Sequence, residues 1–197
     1  MEDAALVHAC QTRDRDAQRE LYERHVDCIY RLAFRITRNE QDAFDVTQQT
    51  FIRAFEHISS FDQRSTIRTW LYRIGTNEAL QLVRRRGTER RHLSVLEHGL
   101  RDSAPASGTD HLDLEEAMLR LSDDHHAILM LRYKEGLDYQ EIATVLEVNA
   151  GTVASRLNRA RGDLRRLLAE NSALSVEETT SKNHPTDTKD VSRQCKK

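Results

Sequence analysis

Ser155, Arg156, Asn158 and Arg159 cluster inside "NAGTVASRLNRARGDLRRLL", with Thr152 one turn earlier. Val153 and Leu157 are spaced to face inward on a helix, which leaves the other five outward or at its edge. Arginine can grip a guanine edge with two parallel hydrogen bonds, and serine or asparagine can meet bases or phosphates. Arg161, Arg165 and Arg166 follow at positions suited to phosphates. An ordinary helical hairpin with a solvated basic face would carry the same residues, so the neighbouring elements must discriminate.

The stretch just before, "LDYQEIATVLEV", puts Ile142, Ala143 and Leu146 on one helical face. Ala143 is small, as a close helix crossing requires. "EVN" reads as a turn, Val148 as a core plug and Asn149 as the cap of the second helix. This is the helix-turn-helix pattern, whose second helix fits the DNA major groove.

A second constellation lies earlier. Tyr22, Val26, Ile29, Ala33 and Ile36 recur at helical spacing. Asn39 can cap a following helix, with Asp42 favoured in its first turn. That helix buries Ala43, Val46, Phe51, Ala54 and Ile58. "SSFDQRST" (Ser59 to Thr66) breaks the period and reads as a loop. Ile67, Trp70, Leu71 and Ile74 begin a third helix, predicted to stop at Gly87 after Arg84, Arg85 and Arg86. Trp70 belongs to the core.

Composition fits such elements. The 197 residues include only 7 Gly and 2 Pro, and no alternating strand pattern is present. The fold class is therefore all-α. The formal charge of −2 makes any nucleic-acid footprint local. No apolar run reaches the ~18 residues a bilayer demands, so no membrane insertion is expected. Glu2 and Asp3 open the chain without a basic-then-apolar leader, and Cys10, Cys28 and Cys195 form no disulfide framework. A reduced, cytoplasmic location is expected. Periodicity lapses around "RDSAPASGTD", which reads as a linker, and the chain is polar beyond Glu170. The expected organisation is a helical domain at 1–87, a flexible linker at 88–111, a smaller helix-turn-helix domain at 112–170 and a disordered tail at 171–197.

"DAFDVTQQTFIRAF", "SSFDQRSTIRTWLYRIGTNEAL" and "RRR" together resemble region 2 of bacterial sigma factors. "LRLSDDHHAILMLRYKEGLDYQEIATVLEVNAGTVASRLNRARGDLRRLL" resembles their region 4. The two occur in order across a short linker, from about Asp16 to Leu168, as in the extracytoplasmic-function class of the sigma-70 family. The resemblance implies an alternative RNA polymerase sigma factor that binds core polymerase, reads the −35 and −10 promoter elements and promotes melting. It places Asp42, Asp45, Gln48, Gln49 and Arg53 against the clamp helices of the largest polymerase subunit. It assigns Phe61, Asp62, Gln63, Arg64 and Ser65 to a loop that captures a flipped −10 base, with Tyr72 and Asn77 at the pocket. An unstacked base needs an aromatic or apolar wall and partners for its edge. Arg68, Arg73, Arg84, Arg85 and Arg86 would hold phosphates of the melted or upstream strand. Thr152, Ser155, Arg156, Asn158 and Arg159 would read the −35 element. Family members are often sequestered by an anti-sigma factor.

The chain departs from the family at several points. Phe44 stands where an acidic residue is usual, Gln49 where Glu is common, Ala154 where Lys or Arg is frequent and Glu147 where Gly is typical. Ser122 and two aspartates replace the usual proline at the start of region 4.

Two other readings compete. An autonomous helix-turn-helix repressor or activator would need an effector pocket or dimer face in the first domain. A zinc site would draw on His8, Cys10, His25 and Cys28, but the His8–Cys10 spacing is not a usual ligand spacing. No nucleophile constellation accompanies these four, so neither a metal, a cofactor nor an enzyme activity is expected.

Overall fold

Side-chain caps set most of the helix starts. Asp14 accepts hydrogen bonds from the Asp16 and Ala17 amides and opens one helix, and Asn39 accepts from the Asp42 amide and opens the next. Each satisfies donors that the first turn leaves without partners. The computed structural model describes residues 3–96 and 110–181. Among them the order is α1 (Asp3–Gln11), α2 (Arg15–Thr37), α3 (Glu40–His57), a 3-10 turn (Ile58–Ser60), α4 (Ile67–Leu96), α5 (Asp110–Arg120), α6 (Asp123–Tyr133), α7 (Tyr139–Leu146) and α8 (Ala150–Ser181). All of this described structure is helix or connection, in keeping with the all-α expectation. No helix among the described residues is long and apolar enough to cross a membrane.

In the first domain α2, α3 and α4 pack on one another around Leu21, Ile29, Leu32, Phe51, Trp70 and Leu71, all buried. Gly75 sits where α4 crosses its neighbours. A Cβ there would lie 3.4 Å from Thr50 Oγ1 and 3.7 Å from Ile29 Cγ2, so glycine permits the close approach. α1 lies ahead of the first helix expected. It buries Leu6, Val7 and Cys10, and Gln11 Nε2 donates to the Ile58 and Phe61 carbonyls at 3.2 and 3.0 Å. In this way α1 ties down the start of the loop before α4.

In the second domain α8 packs on α5, α6 and α7 over Ile128, Leu131, Ile142, Val145, Val153 and Leu157. Ser122 caps α6 as anticipated. Asp138 caps α7 in a reciprocal capping box with Glu141. Glu147 ends α7 at φ 53.

Two expected boundaries and one expected core position need correction. Gly87 does not stop α4, which continues to Leu96. Gly87 has no positive φ, and an interior helical glycine costs only about 1 kcal/mol. α8 likewise continues past Glu170 to Ser181, so the expected disordered tail begins with helix. Tyr22 is 41% exposed, whereas its neighbour Leu21 fills the core. Tyr22 instead meets Phe51 edge-on, with ring centroids 4.7 Å apart. Pro105 and Cys195 lie outside the described residues.

Candidate nucleic-acid interface

Asn149 builds the first surface. Its Oδ1 accepts from both the amide and the hydroxyl of Thr152 at 2.8 Å, which fixes the first turn of α8. Val153, Leu157 and Ala160 anchor the inner face. Ser155, Arg156, Asn158 and Arg159 are exposed along the outer face, and Thr152 is half-buried at its edge. Asn158 accepts from Arg161, so one of its oxygen's lone pairs is used locally. The result is a row of donors on a capped helix, open to a groove.

The second surface surrounds the loop from Phe61 to Thr66. Phe61 is 6% exposed and packs on Trp70, with centroids 5.1 Å apart. It therefore plugs the core at the loop's root. Asp62, Gln63 and Arg64 are exposed, and Ser65 is half-buried. Asp62 bridges to Arg64 at 2.8 Å, and Gln63 adopts φ 59 between them. Beside the loop lies a cavity of about 270 Å³ lined by Ser60, Trp70, Arg73, Asn77 and Gln81 among others. Asn77 is only half-buried there, so its amide can meet a ligand.

Tyr72 is not at the mouth of that cavity. It is fully buried, and its phenol donates to Glu135 Oε2 at 2.6 Å and accepts from Arg68 at 2.9 Å. Burial first, and then the bond to Glu135, pushes its pKa well above the usual phenol value. Arg68 lies over the Tyr72 ring, 4.9 Å from its centroid.

The basic residues divide. Arg73 and Arg84 reach across to Glu147 and Asp124 at 3.7 and 2.6 Å. Arg85 is exposed, whereas Arg86 turns inward to pair with Asp42.

The face expected to meet polymerase is altered by that pair. Asp42 is 2% exposed and stands apart from Asp45, Gln48 and Gln49, which are exposed on α3. Arg53 pairs with Glu78 at 3.0 Å and remains partly exposed. Phe44 and Ile52, 53% and 51% exposed, join this face and make it partly apolar.

Sequence reasoning missed Ser60 and Gln81 at the cavity, Gln11 behind the loop and Glu135 under Tyr72. The spacing of Leu6, Val7 and Cys10 could have revealed α1. No local pattern marks Glu135, because its partners lie 63 and 100 residues away. Of the four residues weighed as zinc ligands, Cys10 is buried in the core and Cys28 Sγ donates to the His25 carbonyl. Among the described residues no group of three or more His, Cys, Asp or Glu could hold a metal ion.

Comparisons place these surfaces in known company. Residues 21–89 match the model for sigma-70 region 2, and residues 111–164 match that for sigma-70 region 4. The chain is 39% identical over 164 residues to the ECF RNA polymerase sigma factor SigE of Mycolicibacterium smegmatis. That alignment covers 78% of this chain and 62% of the relative, so the chain spans less than two thirds of that relative's length. It is 32% identical to SigW of Bacillus subtilis, over 80% of this chain and 91% of SigW. Among solved structures, one resembles it at 26% identity and TM-score 0.59, covering 77% of this chain and 96% of the other. That structure is the sigma factor RpoE of Bartonella quintana in complex with the anti-sigma factor NepR. Another, CnrH in complex with the cytosolic domain of CnrY, matches at 26% identity and TM-score 0.63, over 85% of this chain and 97% of the other.

Proposed function

The chain belongs to the extracytoplasmic-function sigma factors of the sigma-70 family, and from that premise we propose how its residues divide the work of promoter recognition. It is an alternative RNA polymerase sigma factor. The first domain docks on core polymerase through Asp45, Gln48, Gln49 and Arg53, with Phe44 and Ile52 adding apolar contact. The clamp helices of the largest subunit are the partner. Asp42, held inside by Arg86, supports this face rather than touching the partner.

The −10 element is read beside the loop. Asp62, Gln63, Arg64 and Ser65 surround an unpaired base, and the cavity beside Asn77 receives it. Phe61 holds the loop's root from within the core. Tyr72 becomes available only if its partner Glu135 leaves. Arg68, Arg73, Arg84 and Arg85 neutralise phosphates of the opened strand. The −35 element is read by Ser155, Arg156, Asn158 and Arg159, with Thr152 at the edge. No catalytic step is assigned to this chain: melting draws on binding energy, with the unpaired base captured as it leaves the stack. Work on promoters implies a cytoplasmic location.

The observation that carries this reading is the exposed donor row on α8, on the same chain as a base-sized cavity flanked by arginines. An autonomous repressor or activator accounts for the first of these and not the second. An anti-sigma factor fits as regulator, since one solved relative, the sigma factor RpoE of Bartonella quintana, is in complex with the anti-sigma factor NepR. An apolar groove of about 720 Å³, lined by Phe34, Leu119 and Tyr133 among others, offers such a partner a seat.

The recognition helix is tested with Arg159→Ala in transcription by reconstituted polymerase from a library randomised in the upstream element. The variant should lose about tenfold in specific initiation and relax preference at one or two positions, since a bidentate base contact carries roughly 1–3 kcal/mol of discrimination. Unchanged preference would remove Arg159 from the interface.

A further inference from the structure

The loop from Phe61 to Thr66 carries little that could hold its own shape. The Asp62–Arg64 pair is exposed, and the Arg64 amide reaches Asp62 Oδ1 at 3.3 Å. Gln63 sits at φ 59, a left-handed conformation that burdens a residue with a Cβ. The shape is therefore set at the two ends. At the far end Thr66 is built into the start of α4. Its Oγ1 accepts from the Thr69 amide at 3.1 Å, and its carbonyl accepts from the Trp70 amide at 3.0 Å. At the near end the chain turns through Ile58–Ser60, closed by the Phe61 amide on the Ile58 carbonyl at 3.1 Å.

One side chain from elsewhere holds that near end. Gln11 Nε2 donates to the Ile58 carbonyl at 3.2 Å and to the Phe61 carbonyl at 3.0 Å, 47 and 50 residues along the chain. These are the first carbonyl of the turn and the first of the loop. Gln11 is half-buried at the end of α1, whose Leu6, Val7 and Cys10 are buried as α1 packs on α2. The exit from α1 is bonded back on itself, with the Arg13 and Asp14 amides donating to the Cys10 and Ala9 carbonyls. A fixed element therefore stands behind the donor. His57 and Ser60, at the start and end of the same turn, line the cavity beside Asn77. Any rotation of the turn moves a wall of that cavity.

We propose that Gln11 is a positioning residue for the −10 element: it sets the angle at which the loop leaves the core, and so keeps the cavity fitted to one base, without touching DNA. A site held in its binding shape favours the base that fits it, whereas a loose one adapts to several. Without the two donors the Phe61 carbonyl turns to water, and the loop samples shapes that admit other bases. The proposal rests on the loop being the −10 reader. A contact that only stabilised the fold would lower the amount of active protein and leave the order of base preference alone.

The test uses the full chain with core RNA polymerase, on promoter libraries randomised in one element at a time. Gln11→Met keeps the length of the side chain and removes both donors. Gln11→Asn withdraws the amide by one methylene. Ile29→Val, in the buried core of the first domain, controls for lost stability alone. Asn77→Ala, at the cavity, reports whether this surface reads the element at all. Gln11→Met should flatten base preference in the −10 element about fivefold, in line with the loss of one or two net hydrogen bonds. Preference in the −35 element and co-migration with core polymerase should stay as in the unsubstituted chain. Gln11→Asn should shift −10 preference the same way, and it decides if Gln11→Met loses helicity by circular dichroism. Ile29→Val should lower the melting temperature and leave both preferences unchanged. Preference unchanged in the folded Gln11 variants but altered in Asn77→Ala overturns the role of Gln11 and leaves the −10 reading standing. Preference unchanged in all of them overturns the −10 reading, and the role of Gln11 with it. Equal flattening by Ile29→Val, or at both elements, reduces Gln11 to a stabilising contact and overturns the proposal.

Discussion

Asn77 and Tyr72 lie five residues apart on one helix, and their surroundings separate their roles. Asn77 lines an open cavity beside the loop, whereas Tyr72 is sealed beneath Glu135. Asn77→Ala should impair opening and −10 preference by about tenfold while leaving co-migration with core polymerase unchanged. Loss of polymerase binding would make Asn77 a folding residue. The core role of Trp70 was legible, because apolar spacing alone assigns it. The burial of Tyr72 was not, because its acceptor comes from the other domain. His126 carries a separate expectation. Burial, and then Arg38, lower its pKa from 6.5 to about 4. Between those values the unfolded chain takes up a proton that the folded chain refuses, so stability falls as pH drops from 6.5 towards 4. At about 1.4 kcal/mol per unit the loss is on the order of 3 kcal/mol. His25, also lowered by burial, acts in the same direction. Urea unfolding from pH 7 to 4 should show this slope, and His126→Gln should flatten it. Equal slopes in both proteins would place the titrating group elsewhere.

Helix starts were more legible than helix ends. Asn39, Ser122 and Asn149 each cap the helix their position suggested, because an N-cap needs one short polar side chain and a nearby amide. Ends depend on what lies beyond them. Gly87 can terminate a helix, yet the chain on either side keeps favouring one, and Thr88 Oγ1 also bonds the Arg84 carbonyl at 3.0 Å within it. The turn of the helix-turn-helix was readable as a turn, with Glu147 standing where the family typically has Gly. Glu147 takes φ 53, a left-handed conformation that burdens any residue with a Cβ. Glu147→Gly should therefore raise stability by about 0.5–1 kcal/mol, with the exposed pair to Arg73 offsetting little of it. A lower melting temperature would show that the Arg73 contact outweighs the strain.

The two-domain plan follows from two apolar patterns separated by a stretch without one, and each pattern folded into the domain expected of it. How the domains meet was not in those patterns. It depends on Glu135, Glu147 and Asp124 facing Tyr72, Arg73 and Arg84 across long sequence separations, which no local period encodes. The same charges leave the chain near neutrality while its basic face is covered, so net charge alone understated the capacity for DNA. The central claim is that both domains act together, on one polymerase, at one promoter. It is tested by mixing the purified chain with core RNA polymerase and a fragmented genomic library of its source, then sequencing transcript 5′ ends. The expected result is initiation downstream of a shared two-part motif, absent without the chain. Specific duplex binding by the chain alone, with no initiation and no co-migration with core polymerase, would contradict it.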